Sequence, residues 1–186
     1  STCSNGVPAR GSTPTRPDLV TGGILIDLSA AVNQRAGIGR YARELTRELL
    51  PQMDADQVRL WYAADEPLAA PESLQQAPWN AFPVAKSRLS RRNVDRLIMR
   101  AQLPLRWMTG PGQVSVSYSP DFTTPRGGAE VVTVHDLAWL HPEAHTNPKL
   151  AEFLAPVVER EIARANTIFT VSETVRDELR ERFALH

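Results

Sequence analysis

Apolar and polar residues follow two periods along this chain, one typical of buried strands and one typical of amphipathic helices. Five short runs rich in apolar and β-branched residues predict strands buried on both faces. These runs are residues 24–28, 58–63, 114–118, 131–134 and 167–171. Residues 38–50 and 87–107 carry apolar residues at helical spacing. Pro148 and Ser172 mark the starts of two further helices, over residues 148–164 and after Ser172.

The order of these elements predicts an α/β fold with a Rossmann-like parallel sheet and helices on both faces. Residues 29–36 and 64–81 are predicted to be loops, the first longer than most connections between a strand and a helix. Residues 1–22 are rich in Ser, Thr, Pro and Gly and lack the apolar core of a signal peptide. We therefore expect a disordered tail or an expression remnant at 1–22 and one domain over 23–186.

Composition narrows the class of protein. With 42% hydrophobic and 23% charged residues, the chain resembles an ordinary soluble domain. A formal net charge of zero gives no overall field that would attract nucleic acid. Cys3 is the only cysteine, which excludes an internal disulfide and a cysteine metal cluster. No apolar run is long enough to cross a membrane, so the expected location is the cytoplasm.

The strand at 131–134 ends on two polar residues, His135 and Asp136. Ligands of open parallel sheets bind just beyond the carboxyl ends of the strands. An imidazole there can exchange a proton near neutral pH or form a hydrogen bond to a sugar hydroxyl. The alternative is structural, with His135 ending the strand and Asp136 capping the next turn.

A second signal is the turn Gly37-Ile38-Gly39-Arg40, which opens the helix at 38–50. Glycines let a backbone approach a ligand closely, and a helix start offers free N–H groups and a positive dipole end. Arg40 adds a fixed charge, so the turn suits a phosphate or a phosphorylated sugar. The alternative is a turn that only lets the helix pack on the sheet.

An NAD-dependent oxidoreductase is a weaker interpretation of the same turn. The dinucleotide fingerprint is tight, whereas eight residues separate Leu28 from Gly37, and Asn33 stands at the place of its first glycine. The Tyr-xxx-Lys pair of short-chain dehydrogenases is absent, because no tyrosine has a lysine four residues later.

In chain order, five segments resemble the N-terminal domain of family-four (group 1) retaining glycosyltransferases, which have the GT-B fold. The segments are GIGRYARELTRELL at 37–50, QLPL at 102–105, SYSPDFTTP at 117–125, TVHDLAWLHPE at 133–143 and IARANTIFTVSETVRDEL at 162–179. The resemblance covers most of residues 24–183.

The resemblance implies a sugar transferase that takes a nucleotide-sugar donor and a glycan, lipid-linked or small-molecule acceptor, without a cofactor or metal. In this family an acceptor-side domain faces a donor-side domain across a cleft. The resemblance implies that His135 lies near the transferred sugar. Gly37 and Gly39 would lie near the donor diphosphate and the acceptor, and Ser172 would lie at the cleft. From the residues themselves, Arg40 and Asp136 are further candidates for binding the donor or the acceptor.

The chain departs from the family in ending at His186, before the donor-side domain that carries the paired glutamates. Glu173 and Glu181 have the spacing of that pair, but they lie among arginines on a predicted surface helix, where ion pairs explain them. We therefore expect an acceptor-side half that is inactive alone. The runner-up is a non-catalytic Rossmann-like module that binds a phosphorylated ligand or a partner protein.

Two other features of the sequence could suggest binding sites. Six arginines and one acid in the basic helix 87–107 suit peripheral contact with an anionic membrane at the inner face, or guidance of a phosphorylated acceptor. A solvated helix face over an apolar core stripe is the favoured explanation. His141, Glu143 and His145 follow a strand rather than share a helix face, so no metal site is expected. The sequence leaves open the sugar, the nucleotide, the acceptor and the oligomeric state.

Overall fold

The fold is an open six-stranded sheet in which every strand pair is parallel. It was determined as a computed structural model that describes residues 23–35, 37–65, 72–101, 114–121, 128–141 and 148–185. The predicted α/β class with a parallel sheet and flanking helices is thereby confirmed. The tail predicted at 1–22 lies outside the described residues.

The strands and helices follow one another in a mixed α/β order. The strands are β1 (Gly23–Asp27), β2 (Val58–Tyr62), β3 (Val84–Lys86), β4 (Val114–Ser119), β5 (Ala129–Val134) and β6 (Thr167–Thr170). The helices are α1 (Ser29–Asn33), α2 (Ile38–Leu49), α3 (Arg91–Ala101), α4 (Pro148–Arg164) and α5 (Glu173–Phe183).

The strand order in space is β3-β2-β1-β4-β5-β6. The chain therefore moves outward from β1 in one direction and then returns to build outward from β4 in the other. The carboxyl ends of parallel strands share one edge of the sheet, and the gap between β1 and β4 is where the direction reverses. In open α/β sheets, ligands bind outside the carboxyl ends of the strands at such a reversal point.

Apolar residues on both sides of the sheet form the core. Alternate residues of β1, such as Ile26, pack with α1 and α2, because successive side chains of a strand point to opposite faces. Leu25 points to the other face and packs with Trp61 and with Val94 of α3. A third cluster joins Val134 at the end of β5 to α4 and α5.

Residues 29–36, predicted to be a loop, contain the short helix α1, so that prediction was wrong. The reason lies in side chains outside the segment. Arg43 of α2 donates hydrogen bonds of 2.6, 2.7 and 2.6 Å to the carbonyls of Ala31, Gln34 and Arg35. A cation on the last carbonyls stabilises a helix end. These carbonyls belong to another segment, so the helical pattern of residues 38–50 does not reveal them.

The strand β3 was not predicted. It has three residues and lies at the edge of the sheet, paired with β2. A segment this short carries too little periodicity to be recognised from sequence. Within the predicted loop 64–81 the structure contains two 3₁₀ turns, Glu72–Gln75 and Trp79–Ala81.

The predicted basic helix 87–107 is shorter in the structure, where α3 begins at Arg91. The preceding residues 87–90 are non-helical. The predicted continuation over residues 102–107 lies outside the described residues. Within the described ranges, no helix combines the length and the apolar character that crossing a membrane requires.

Candidate functional site

His135 follows β5 directly and lies at the carboxyl edge of the sheet. Its Nε2 atom is 2.7 Å from the carbonyl oxygen of Pro120, which follows β4. A carbonyl oxygen only accepts hydrogen bonds, so Nε2 must carry the proton and donate. In a neutral imidazole the lone pair is then on Nδ1. No partner for Nδ1 exists among the described residues.

The helix that begins at the glycine turn is in contact with His135. The rings of Tyr41 and His135 have their centroids 4.9 Å apart and their planes at 89°, an edge contact. Tyr41 is in the first turn of α2, and its backbone N–H donates to the carbonyl of Gly37 at 3.0 Å. The structure thus brings together two motifs that lie far apart in the sequence.

A small polar layer lies beneath this contact. The hydroxyl groups of Tyr118 in β4 and Thr133 in β5 are 3.1 Å apart and buried. Burial raises the pKa of the Tyr118 phenol, the hydrogen bond with Thr133 opposes that shift, and the nearby Tyr41 phenol raises the pKa further. Tyr118 is therefore a neutral hydrogen-bonding group, and this layer is structural.

Different structural requirements explain the two glycines of the turn. Gly37 has φ of +58°, a conformation that L side chains rarely adopt, and the space where its Cβ would lie is open. Gly39 is buried, and a Cβ there would lie 2.0 Å from the carbonyl oxygen of Gln34. Close packing of α2 against residue 34 therefore explains Gly39, whereas only Gly37 faces open space.

The other predicted site residues have identifiable positions. Arg40 is exposed in the first turn of α2. Asp136 is exposed, and its Oδ1 accepts from the Ala138 N–H at 3.1 Å, which caps the turn after β5 as the structural alternative predicted. The Ser172 hydroxyl accepts from the Val175 N–H at 3.2 Å, and this confirms Ser172 as the N-cap of α5.

The strand register places His135 and Ser172 at the same edge, because Val134 pairs with Thr170. The structure therefore groups His135, Asp136, Ser172 and the start of α2 around the carboxyl ends of the strands. Direct contact within this group is seen between Tyr41 and His135.

Sequence analysis missed a buried ion network beside this edge. Arg91 of α3 donates to Asp95 at 2.7 Å and lies 3.7 Å from Asp121, which follows β4. Asp27, the last residue of β1, is buried within electrostatic reach of Arg91 and accepts from the Ser29 N–H at 2.7 Å. Four ionisable groups from three parts of the chain thus meet at the point where the strand order reverses.

Burial dominates the protonation of this network. It raises the pKa of Asp27 to about 6, and the positive charge of Arg91 opposes the shift without cancelling it. Burial also raises the pKa of Asp95. For Arg91 burial alone would lower the pKa, but the surrounding carboxylates outweigh it and raise the pKa. The sequence does not indicate that these residues form a group. Asp27, for example, is a single polar residue within a predicted strand.

The network supports the hydrogen-bond partner of His135. The Asp121 N–H donates to the Ser119 hydroxyl at 3.2 Å, and this hydrogen bond stabilises the turn after β4. Pro120, whose carbonyl accepts from His135, lies inside that turn. The ion pair between Arg91 and Asp121 ties the turn to α3.

Two further features lie apart from this group. A cavity of about 460 Å³ between β6 and α5 is lined by apolar residues with Arg176 and Arg180, and contains none of the predicted site residues.

Among the described residues, no cluster of His, Cys, Asp and Glu side chains could hold a metal ion. His141 instead forms a hydrogen-bonded pair with Glu178 of α5, while Glu143 and His145 lie outside the described ranges.

The difference between the two glycines is testable by substitution. Gly39→Ala should lower the free energy of unfolding by about 3 kcal/mol or more, because the added methyl group meets backbone that cannot yield. Gly37→Ala adds no clash and should lower it by about 1–2 kcal/mol through backbone strain alone. Urea unfolding of both variants measures this, and an effect at Gly39 no larger than that at Gly37 would show that packing does not explain Gly39.

The buried carboxyl predicts a pH dependence of stability. Since the pKa of Asp27 is raised from 3.8 to about 6, the folded state keeps a proton that the unfolded state releases. The contribution of Asp27 to the free energy of unfolding should therefore fall by on the order of 3 kcal/mol as pH rises from about 4 to 6. Above about pH 6 this contribution should stay constant. In Asp27→Asn this decline should disappear.

The measurement is urea unfolding of both proteins between pH 4 and 7.5, with the exposed carboxyl variant Asp56→Asn as control. The difference between Asp27→Asn and the natural chain should move in favour of the variant as pH rises. A constant difference would mean that Asp27 titrates normally.

No protein-family model matches the chain. No curated protein sequence matches it either.

Proposed function

We propose that this chain is the acceptor-side domain of a retaining glycosyltransferase that moves a sugar from a nucleotide-sugar donor to an acceptor. The proposal rests on the ordered resemblance of five segments to that family. It requires the glycine turn and His135 to serve one site at the carboxyl edge of the sheet.

One observation carries the proposal beyond the resemblance: the contact between Tyr41 and His135, with ring centroids 4.9 Å apart. The resemblance assigns the glycine turn and His135 to a common cleft without stating any contact in this chain. A chain in which these motifs lay on opposite edges of the sheet would have removed the basis for sugar transfer.

The chemistry available to the chain follows from its own atoms. With Nε2 donating to Pro120, a neutral His135 offers Nδ1 to a donor such as a sugar hydroxyl. The start of α2 offers N–H groups and a positive dipole end beside the exposed Arg40, which suits a phosphate group of the donor or acceptor. Ser172 and Asp136 each cap a turn or helix through one oxygen, which leaves the Ser172 hydroxyl proton and Asp136 Oδ2 for a ligand.

Stabilisation of the departing diphosphate would come from the donor-side domain expected from the resemblance. An exposed diphosphate and an oxocarbenium-like sugar need several oriented N–H groups and cations. Among the predicted site residues that the structure describes, the start of α2 and Arg40 are the groups of this kind at the edge. That shortage supports the expectation that the domain acts in combination with a second one.

The location proposed is the cytoplasm, with contact at the inner face of a membrane as a variant. Arg92 and Arg96 are exposed on α3 and remain available for anionic headgroups. Arg91 is not available to headgroups, because it forms ion pairs with Asp95 and Asp121. The membrane hypothesis therefore rests on fewer arginines than the sequence suggested.

One observation favours the runner-up, a non-catalytic module that binds a phosphorylated ligand: the open space at Gly37 beside the exposed Arg40. The interpretation as an NAD-dependent oxidoreductase is weakened, because α1 lies between β1 and the glycine turn. A dinucleotide-binding turn instead leads directly from the strand into the helix.

The proposal predicts that the 186-residue chain alone does not turn over a nucleotide-sugar. A parent protein that also carries the donor-side domain should glycosylate an acceptor when screened with uridine-, guanosine- and adenosine-diphosphate sugars. The readout is the mass shift of candidate acceptors. Steady turnover by the isolated chain, or none by the parent with any donor, would contradict the proposal.

In an active parent, His135→Ala should lower kcat/KM by about 100-fold or more, the usual scale for a group that stabilises charge or moves a proton at the reacting centre. The matched control is His141→Ala, because His141 is a neighbouring exposed imidazole that pairs with Glu178. Equal losses in the two variants would place the effect in folding rather than in the site.

A further inference from the structure

We infer that Tyr41 is a positioning residue for His135: its ring holds the imidazole in the orientation that offers Nδ1 as a hydrogen-bond acceptor to a hydroxyl-bearing ligand. The ligand class rests on the proposed function. The positioning itself does not, because it follows from contacts within the chain.

The imidazole is held from two directions. Its Nε2 is fixed by the Pro120 carbonyl at 2.7 Å. With Cβ held by the backbone and Nε2 by this bond, the ring can still rotate about the line that joins these two atoms. The Tyr41 ring, at 89° to the imidazole plane and with centroids 4.9 Å apart, blocks that rotation. Edge contacts between aromatic rings at this separation are favourable.

The position of Tyr41 allows its ring to restrict the motion of the imidazole. Its backbone N–H donates to the Gly37 carbonyl at 3.0 Å, so its position follows that of the glycine turn. Its phenol lies close enough to the buried Tyr118 phenol to raise the pKa of that group. Because the backbone of Tyr41 is bonded to Gly37, a ligand that shifts the glycine turn would also shift the Tyr41 ring beside His135.

The arrangement selects a type of ligand atom at His135. Because Nε2 is occupied by a carbonyl, a neutral His135 presents only the lone pair of Nδ1. A hydroxyl can donate to that lone pair, whereas an ionised phosphate oxygen cannot, since it only accepts. We therefore assign the sugar hydroxyl of a ligand to His135 and leave any phosphate to the N–H groups and the cation at the start of α2.

The test is imidazole ¹⁵N and ¹H NMR of the uniformly labelled chain at pH 8. In the natural chain His135 should be in the Nε2–H tautomer, with that proton protected from exchange with water. Tyr41→Leu and the gentler Tyr41→Met should each speed exchange of the Nε2–H proton by about three- to tenfold, the factor that corresponds to one aromatic pair.

Tyr41→Phe keeps the ring and loses only the hydroxyl, so its exchange rate should stay within about twofold of the natural value. Leu49→Ala is the matched control, because Leu49 packs into the core from the same helix without contact to His135. It should loosen α2 and leave the imidazole unchanged.

Two results would overturn the inference. One is a natural chain in which the Nδ1–H tautomer dominates or both tautomers are mixed, which needs no variant to fold. The other is a Tyr41→Met exchange rate equal to that of Tyr41→Phe. Neither result depends on turnover, because no substrate enters the measurement, so a failed transferase screen would leave the positioning of His135 intact.

Discussion

The carboxyl edge of this sheet depends on the charge of Arg91. Its guanidinium joins α3 to Asp121 after β4 and lies within electrostatic reach of Asp27 at the end of β1, all in a largely buried environment. A buried charge left unpaired is strongly destabilising, so these segments are constrained to meet. The turn that Asp121 helps to fix contains the Pro120 carbonyl, and that carbonyl orients His135. The orientation of the candidate site is therefore traceable to an ion network at the point where the strand order reverses.

The topology explains why such distant segments converge. Parallel strands in the order β3-β2-β1-β4-β5-β6 place the ends of β1 and β4 side by side, with β5 next to β4. The start of α2 returns over this edge after β1, so Tyr41 reaches His135 from one side while Pro120 reaches it from the other. Each contact joins a different pair of elements, and the imidazole lies where they meet. A side chain on a connecting segment thereby acquires a defined orientation from a rigid scaffold.

Most of the scaffold was predictable from the sequence, because strand burial and helix capping are local properties. The runs at 24–28 and 131–134 follow from β-branched apolar residues, and Ser172 from the preference for hydroxyls at helix starts. What could not be predicted depends on partners distant in the sequence. Arg43 stabilises α1 through carbonyls of another segment, and Arg91 looked like one of several surface arginines until Asp121 was placed beside it. Gly39 looked like a ligand-approach glycine, but its reason is the Gln34 backbone. The position of His135 at a strand end followed from the sequence, whereas the nitrogen left available did not, since that depends on Pro120.

The central claim is that α2 and the loop after β5 meet in one site through the Tyr41 and His135 rings. Nuclear Overhauser contacts between the ring protons of these two residues test it most directly, with the Tyr118–Phe169 ring pair, at 6.0 Å between centroids, as an internal reference. The account predicts clear cross-peaks between Tyr41 and His135, stronger than those of the reference pair. Their absence, in a spectrum where the Tyr118–Phe169 contact is seen, would contradict it.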